Sequence, residues 1–286
     1  FTAADFPDNL FKNLVIGSDK VENVIKNPLV KAVTLTGSTP AGKAVASLAG
    51  SMLKKTVLEL GGSDPYVILE DADLDQAVNA CITGRMLNTG QSCIAAKRFI
   101  VVEPCRPEFT DKVAKKIKNM NMGDPLDLTI DIGPMVNISA RDELHQQVIA
   151  SLDKGAVLVT GGIIPEPPGS FYPPTLLVDV TPGMPAFDDE LFGPVAVIIT
   201  AKDEQQALEL ANQTKFGLGA AVFTADVKKG KKIAVEVLEA GSCFVNDFVK
   251  SDPRLPFGGI KESGYGRELS EFGIHEFVNI KSVVVQ

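Results

Sequence analysis

The chain has 286 residues, of which 45% are hydrophobic and 22% are charged, a composition typical of globular proteins. Its formal net charge of −8 argues against nucleic acid or an anionic membrane as a partner, because both favour clustered Lys and Arg. The longest apolar runs are shorter than the roughly 20 residues of a membrane span, and the N-terminus lacks a signal-peptide pattern. We therefore expect a cytoplasmic protein.

Strands and helices alternate along the chain, which favours an α/β fold. In chain order, strands are predicted over residues 31–36, 56–60, 66–69, 99–102, 157–160, 196–200, 220–223 and 242–245. Helical segments are predicted over residues 18–27, 40–53, 73–82, 108–120, 137–152, 204–212 and 227–238. A Pro-rich loop is expected to end at residue 174. The valine-rich tail 278–285 is predicted to be a strand that pairs with another subunit, because proteins usually cover such an exposed edge.

The four cysteines are Cys81, Cys93, Cys105 and Cys243, and no two form a CxxC pair. This predicts neither a disulfide framework nor a metal site, as expected in a reducing cytosol. Cys93 follows a glycine turn and is expected to begin a new helical turn. Free backbone N–H groups there would lower the pKa of its thiol and hold an oxyanion, so Cys93 is the best nucleophile candidate. The alternative is that Cys93 is buried and inert. The other three cysteines are expected to occupy core or surface positions without a chemical role.

A carboxylate is the better candidate for the base that would serve this thiol. The two histidines, His145 and His275, are expected to be structural or solvated. Glu59 ends a predicted strand and is followed by Gly61-Gly62, which lack side chains and let a ligand approach the backbone. The alternative is an exposed carboxylate at a strand end.

The turn that begins at Gly37 nearly matches the phosphate loop of nucleotide hydrolases, with a strand before it and a helix after it. Ala44, however, stands where the magnesium-binding Ser or Thr belongs, so a magnesium-dependent ATPase is only a weak alternative. A glycine turn capped by Ser38 or Thr39 at a helix N-terminus remains a candidate phosphate site, with a plain helix cap as the alternative.

Five motifs occur in a fixed order: Thr36-Gly-Ser-Thr39, Leu58-Glu-Leu-Gly-Gly62, Gly90-Gln-Ser-Cys93, Glu190-Leu-Phe-Gly-Pro194, and Pro256-Phe-Gly-Gly259 with Gly264-Tyr-Gly-Arg-Glu268. In this order they resemble the aldehyde dehydrogenase superfamily, from near Phe1 to Gln286. The sequence around these motifs resembles that of bacterial succinate-semialdehyde dehydrogenases.

The resemblance implies a Rossmann-type dinucleotide-binding domain whose C-terminal part is residues 1–60. It further implies an α/β catalytic domain over residues 61–262 and a C-terminal segment, 263–286, that carries an oligomerisation strand. The implied assembly is a homodimer or homotetramer of the full-length protein. The implied cofactor is NAD or NADP.

The resemblance also assigns roles to residues. Cys93 is the implied nucleophile and Glu59 the implied base, and the implied cofactor-binding residues are Thr36, Gly37, Ser38, Gly42, Leu60, Gly61, Glu190 and Phe192. The implied reaction oxidises an aldehyde such as succinate semialdehyde to the carboxylic acid, through a thiohemiacetal and a thioester on Cys93.

Two departures from the family qualify these expectations. The match starts partway through the dinucleotide-binding domain, so the family's oxyanion-hole Asn and its ribose-binding Lys would lie upstream of Phe1. A truncated, non-catalytic chain that acts in assembly or interaction is therefore the alternative function. Some succinate-semialdehyde enzymes also place an Arg where this sequence has Leu87. Speculative replacements are Arg85, Lys250, Ser251 and Arg254.

Overall fold

Two β-sheets organise the part of the chain that the computed structural model describes, residues 2–166 and 169–286. The strands are β1 (Ala32–Thr36), β2 (Lys55–Glu59), β3 (Asp64–Ile68), β4 (Ala96–Val102), β5 (Val157–Thr160), β6 (Thr175–Val178), β7 (Val195–Ala201), β8 (Gly219–Phe223), β9 (Ser242–Val245) and β10 (Gly264–Tyr265). The helices are α1 (Val21–Lys26), α2 (Thr39–Ser51), α3 (Leu74–Met86), α4 (Arg106–Lys118), α5 (Ile138–Asp153), α6 (Pro185–Asp188), α7 (Glu204–Asn212), α8 (Val227–Glu236) and α9 (Ser270–Glu276).

The smaller sheet has the order β1-β2-β10. Its first two strands are parallel and joined by α2, as a strand-helix-strand connection requires. Their register places Thr36 beside Glu59 at the carboxyl end of both strands. Strand β10 returns from the end of the chain and pairs antiparallel with β2, where Gly264 lies opposite Glu59. The smaller sheet is therefore not built from residues 1–60 alone.

The larger sheet has the order β5-β6-β7-β4-β3-β8-β9, and only the β5–β6 pair is antiparallel. Strands β3, β4 and β8 are buried along their whole length, as expected for a parallel sheet covered on both faces. Helices α3 and α4 pack against β4, α7 packs against β3, β4 and β7, and α8 packs against β8 and β9. The α/β prediction is confirmed.

Most predicted elements are present, with bounds that differ by one to a few residues. The strand β6, the helices α6 and α9 and the strand β10 were not predicted, because each is short and lacks a clear periodicity. Phe1 and part of the predicted Pro-rich loop lie outside the described residues. No helix in residues 2–166 and 169–286 is long and apolar enough to cross a membrane.

One local prediction is wrong. Cys93 does not begin a helical turn: the N–H of Ala95 donates to the carbonyl of Ser92 at 3.2 Å, and this single turn leads into β4. The residues from Ala96 onwards form β4, which pairs with β3 and β7, instead of a helix. The tail 278–286 has no strand partner among the described residues of this single chain. Its expected pairing with another subunit stays a prediction.

Candidate active site

A cavity of about 630 Å³ lies between the carboxyl edge of the smaller sheet and the loop that precedes β4. It is lined by Thr36, Gly37, Ser38, Glu59, Leu60, Gly61, Gln91, Ser92, Cys93, Glu190 and Phe192. The structure thus brings together all the site residues predicted from the sequence except Gly42. The turn at Gly62 packs against the cysteine loop, since a Cβ there would lie 2.6 Å from the carbonyl oxygen of Cys93.

The loop before Cys93 is held in an unusual conformation. Asn88, Thr89 and Gly90 have positive φ angles of 53°, 57° and 71°. A side chain on Gly90 would collide with the carbonyl group of Gly193, so glycine is required there. The guanidinium of the fully buried Arg85 donates to the carbonyl oxygens of Gly90, Leu191 and Gly193. Arg85 therefore ties this loop to the Glu190 segment and is not exposed to a substrate.

The Cys93 thiol is half-buried and faces the cavity. Burial raises the pKa of the thiol above its ordinary value, while the Lys97 cation and the N–H of Ile94 act in the opposite direction. The prediction that backbone N–H groups lower this pKa identified a contributing cause correctly, but desolvation outweighs it.

Sequence patterns alone did not single out Lys97, a cation that contacts the loop carrying the thiol. Its ammonium donates to the carbonyl oxygens of Ser92 and Cys93, each at 2.8 Å. It also forms an ion pair with Glu190, with 3.1 Å between Nζ and Oε1. The signal that could have found Lys97 is the pair of charged residues, Lys97 and Arg98, inside a strand that is otherwise apolar on both faces.

Glu59 is a buried carboxylate. Only 3% of the residue is exposed, and neither carboxylate oxygen has a hydrogen-bond partner among the described residues. Burial raises the pKa of Glu59 to about 7, the negative charge of Glu268 adds to this rise, and Arg267 opposes it. Gly258 leaves room for the carboxylate, since a Cβ there would lie 2.9 Å from Oε1. The alternative of an exposed strand-end carboxylate is therefore wrong.

The glycine turn after β1 begins α2. The Ser38 hydroxyl accepts from the N–H of Ala41 at 3.4 Å, so Ser38 is the helix cap. Gly42 lies behind the turn, not in the cavity: a Cβ there would approach the Leu60 methyl groups to 2.5 Å. Lys43 forms a 2.8 Å ion pair with Glu262. This pairing gives no support to the nucleotide hydrolase alternative, in which Lys43 would contact phosphate.

Glu190 and Phe192 form the opposite wall. Glu190 Oε1 accepts from the N–H of Gly62 at 3.0 Å, besides its ion pair with Lys97. A side chain on Gly61 would collide with the same carboxylate, which explains why the Gly61-Gly62 pair is needed. The Phe192 ring is 43% exposed and borders the cavity.

The remaining candidates lie elsewhere. Cys81 and Cys105 are buried, and Cys243 is half-buried in β9. His145 in α5 lies 3.2 Å from the Tyr172 hydroxyl. A second cavity of about 370 Å³ is lined by residues that include Cys243, Lys250, Ser251 and Phe257. Arg254 pairs with Asp252 at 2.6 Å.

Comparison with known proteins identifies the family of this chain. The Aldehyde dehydrogenase family profile matches residues 1–283. Among curated relatives, the Succinate semialdehyde dehydrogenase [NAD(P)+] Sad of Escherichia coli (strain K12) is 49% identical over 283 residues, 99% of this chain and 61% of that protein. The Succinate-semialdehyde dehydrogenase [NADP(+)] of Mycobacterium leprae (strain TN) is 48% identical over 278 residues, 97% of this chain and 61% of that protein.

Solved structures give the same result. The crystal structure of succinic semialdehyde dehydrogenase from Streptococcus pyogenes in complex with NADP+ superimposes with a TM-score of 0.93 at 41% identity. The match covers 96% of this chain and 60% of that chain. The chain thus spans about three-fifths of the length of these relatives. By its sequence and its fold, the chain belongs to the aldehyde dehydrogenase family.

Proposed function

We propose that this chain carries the nucleophile and the base of an NAD(P)-dependent aldehyde dehydrogenase that oxidises succinate semialdehyde. One observation carries the proposal: Cys93 precedes a strand of the larger sheet, Glu59 ends a strand of the smaller sheet, and both line one cavity. A thiol and a carboxylate with perturbed pKa values in one cavity are a typical combination for covalent catalysis followed by hydrolysis.

The cavity has features that suit a dinucleotide. Its volume is within the usual range of ligand sites, about 300–1,000 Å³. Thr36, Gly37 and Ser38 line it where α2 begins, and the N-terminus of a helix favours a pyrophosphate. Glu190 Oε1 is engaged by Lys97 and Gly62, but the side chain is 20% exposed and can also meet ribose hydroxyl groups. The exposed Phe192 ring is available for the nicotinamide. Leu60 and Gly61 also line the cavity and are available to the nicotinamide. When bound, NAD or NADP accepts the hydride that leaves the aldehyde carbon.

In the first half of the proposed reaction, the Cys93 thiolate attacks the carbonyl carbon of the aldehyde. A carbon–sulfur bond forms, and the carbonyl electron pair moves to oxygen, giving a thiohemiacetal. The N–H of Ile94, which lies beside the sulfur, is a donor available to that oxygen. Loss of the hydride re-forms the carbonyl group and leaves a thioester on Cys93.

In the second half, Glu59 removes a proton from water as the water oxygen attacks the thioester carbon. The carbon–sulfur bond breaks, the sulfur leaves as thiolate, and the carboxylic acid is released. A base works best when its pKa lies near the working pH, and the pKa of Glu59 is raised to about 7. Neither carboxylate oxygen has a hydrogen-bond partner among the described residues, so Glu59 is not committed to another group.

The choice of succinate semialdehyde is supported by the similarity to the Escherichia coli and Mycobacterium leprae enzymes. The far carboxylate of this substrate needs a cationic or hydroxyl partner. We assign that role to Lys250 and Ser251 in the second cavity, because Arg85 is fully buried and its Nη2 donates to backbone carbonyls. Lys250 pairs with Asp247 at 2.6 Å, so the substrate would compete with that carboxylate.

The direct test is NADH or NADPH formation with succinate semialdehyde by the protein at its full natural length. We expect Cys93→Ala to abolish turnover. We expect Glu59→Gln to retain one burst of reduced coenzyme and to accumulate the thioester, visible as added mass on the Cys93 peptide. Equal steady turnover by the parent and Cys93→Ala would overturn the proposal.

We also propose that the full-length protein is a cytoplasmic homodimer or homotetramer. All four cysteines are free thiols, as in a reducing compartment. The tail is apolar and exposed: Ile280, Val283, Val284 and Val285 are each at least 75% exposed. A surface of this kind favours pairing with a second copy.

A further inference from the structure

Lys97 is the most unusual side chain near the proposed nucleophile. It is the second residue of β4, whose seven residues are all buried, and only 2% of its own surface is exposed. An ammonium group in such a place is costly unless it is fully hydrogen-bonded and paired. Its retention in the core therefore calls for a compensating set of contacts.

The three N–H groups of Lys97 are matched by three acceptors. Two are the carbonyl oxygens of Ser92 and Cys93, and the third is the Glu190 carboxylate. An ammonium has three donors and no acceptor, so its hydrogen-bonding capacity is filled. These contacts connect the backbone of the nucleophile's loop to the carboxylate on the opposite wall of the cavity.

Lys97 lies among several charged side chains. Its charged neighbours are the buried Arg85 and the carboxyl groups of Asp64 and Glu190, while the buried Arg98 faces Asp64 and Asp188. The guanidinium of Arg98 is committed to the carbonyl oxygens of Ser63, Leu210 and Ala211. The guanidinium of Arg85 donates to the carbonyl oxygens of Gly90, Leu191 and Gly193. Lys97 is therefore the cation of this group whose hydrogen bonds reach the backbone of Cys93 itself.

We propose that Lys97 is a positioning residue that holds the Cys93 loop and Glu190 in one arrangement and stabilises the Cys93 thiolate. This inference rests on the proposed function for its catalytic meaning. The electrostatics at the thiol agree with it. The positive charge of Lys97 lowers the pKa of Cys93, whereas the negative charges of Asp64 and Glu190 raise it.

A purely structural lysine would affect folding without a charge-dependent effect on the thiol. The two roles are separated by the pH profile of Cys93 alkylation by iodoacetamide, followed on the Cys93 peptide by mass spectrometry. Alkylation reports the thiolate directly and requires neither coenzyme nor turnover. Failure of the proposed dehydrogenase activity would therefore leave this test intact.

We expect Lys97→Met to slow alkylation at neutral pH at least about tenfold and to move the profile to higher pH, because an opposite charge is removed. We expect Glu190→Gln to act with the opposite sign and to speed alkylation, since it removes a negative neighbour and keeps Lys97. The second variant gives a result whether or not Lys97→Met folds.

Lys112→Met is the matched control, because Lys112 also pairs with carboxylates but lies away from the cavity. Its profile is expected to overlay that of the parent. A folded Lys97→Met protein with an unshifted profile would overturn the proposal, and so would a Glu190→Gln profile that moves to higher pH.

Discussion

Glu59 combines two properties that are rarely found together at a strand end. Its carboxylate is almost completely shielded from water, and no hydrogen-bond donor among the described residues compensates the lost hydration. Desolvation disfavours the charged form, and the nearby charge of Glu268 adds to the effect. The same features that suit Glu59 to accept a proton from water therefore reduce stability when it is ionised.

The sign of this effect can be tested by melting experiments. The folded-state pKa of about 7 lies above the ordinary value of 4.5, so the folded chain binds a proton that the unfolded chain releases between these pH values. The contribution of Glu59 to the free energy of unfolding is therefore fully present below about pH 4.5 and is lost as the pH rises through 7. We expect Glu59→Gln to raise the free energy of unfolding by on the order of 2–3 kcal/mol near pH 8.

The same substitution should have little effect near pH 4.5, where Glu59 is protonated in the folded protein. The exposed Glu103 provides the control Glu103→Gln, which should melt like the parent at both pH values. An equal gain by Glu59→Gln at both pH values would contradict the electrostatic explanation.

Arg85 shows how a residue's role depends on where the fold places it. Its substitution by Met would leave the buried carbonyl oxygens of Gly90, Leu191 and Gly193 without their donor. We expect Arg85→Met to reduce the free energy of unfolding by about 3 kcal/mol or more in urea denaturation.

The matched variant is Lys250→Met, in which the proposed substrate cation is removed from an exposed position. It should raise the KM for succinate semialdehyde while leaving stability within about 0.5 kcal/mol of the parent. An unchanged stability of Arg85→Met with a raised KM would instead identify Arg85 as the substrate ligand.

At the scale of elements, helix α2 links the glycine turn at Gly37 to Leu60, a residue that lines the cavity. Gly42 is buried in this helix against Leu60, which lines the cavity. Any side chain at position 42 must displace Leu60 or tilt the helix. The glycine is therefore needed for close packing between helix and strand, and its place in the predicted phosphate turn reflects this indirect role.

We expect Gly42→Val to reduce stability by about 1–3 kcal/mol through overpacking and to weaken coenzyme binding, measured by fluorescence titration with NADPH. Gly50 in the same helix is the control, because a Cβ there has no atom within 4 Å. Gly50→Ala should stabilise the protein by about 0.5–1 kcal/mol and leave coenzyme affinity unchanged. Tight binding by Gly42→Val would argue against the link through Leu60.

The main strands and helices could be predicted because their apolar residues follow clear periods. The strand β10 could not, since its Gly264-Tyr265 pair acquires strand character only by pairing with β2, far away in the sequence. The turn at Cys93 was mistaken for a helix for a related reason. Its Ile-Ala-Ala continuation fits either structure locally, and the neighbouring strands decide in favour of β4.

At the scale of the molecule, the cavity exists because the two sheets meet. The smaller sheet supplies Thr36 and Glu59 at its carboxyl edge, and the larger sheet supplies the loop that carries Cys93. Packing between Gly62 and that loop joins the two contributions. The predicted domain boundaries remain a prediction, although β10 shows that the C-terminal segment takes part in the smaller sheet.

The exposed tail allows a test of assembly. We expect truncation after Phe277 to reduce the full-length protein to a smaller species in analytical ultracentrifugation, because the apolar strand partner is removed. Leu128→Asp is the control, since Leu128 is a fully exposed apolar residue away from the tail. An unchanged assembly after truncation would show that the tail is not the contact between copies.

The sequence by itself determined the family and the α/β class, and it predicted the roles of Cys93 and Glu59, because these depend on local motifs in a fixed order. Only the tertiary structure decided that Glu59 is buried, that Gly42 acts through Leu60 and that Arg85 holds a loop. It alone revealed Lys97 between Cys93 and Glu190. The physical reason is that burial, charge pairing and desolvation arise between residues distant in sequence, and no local pattern encodes which of them will meet.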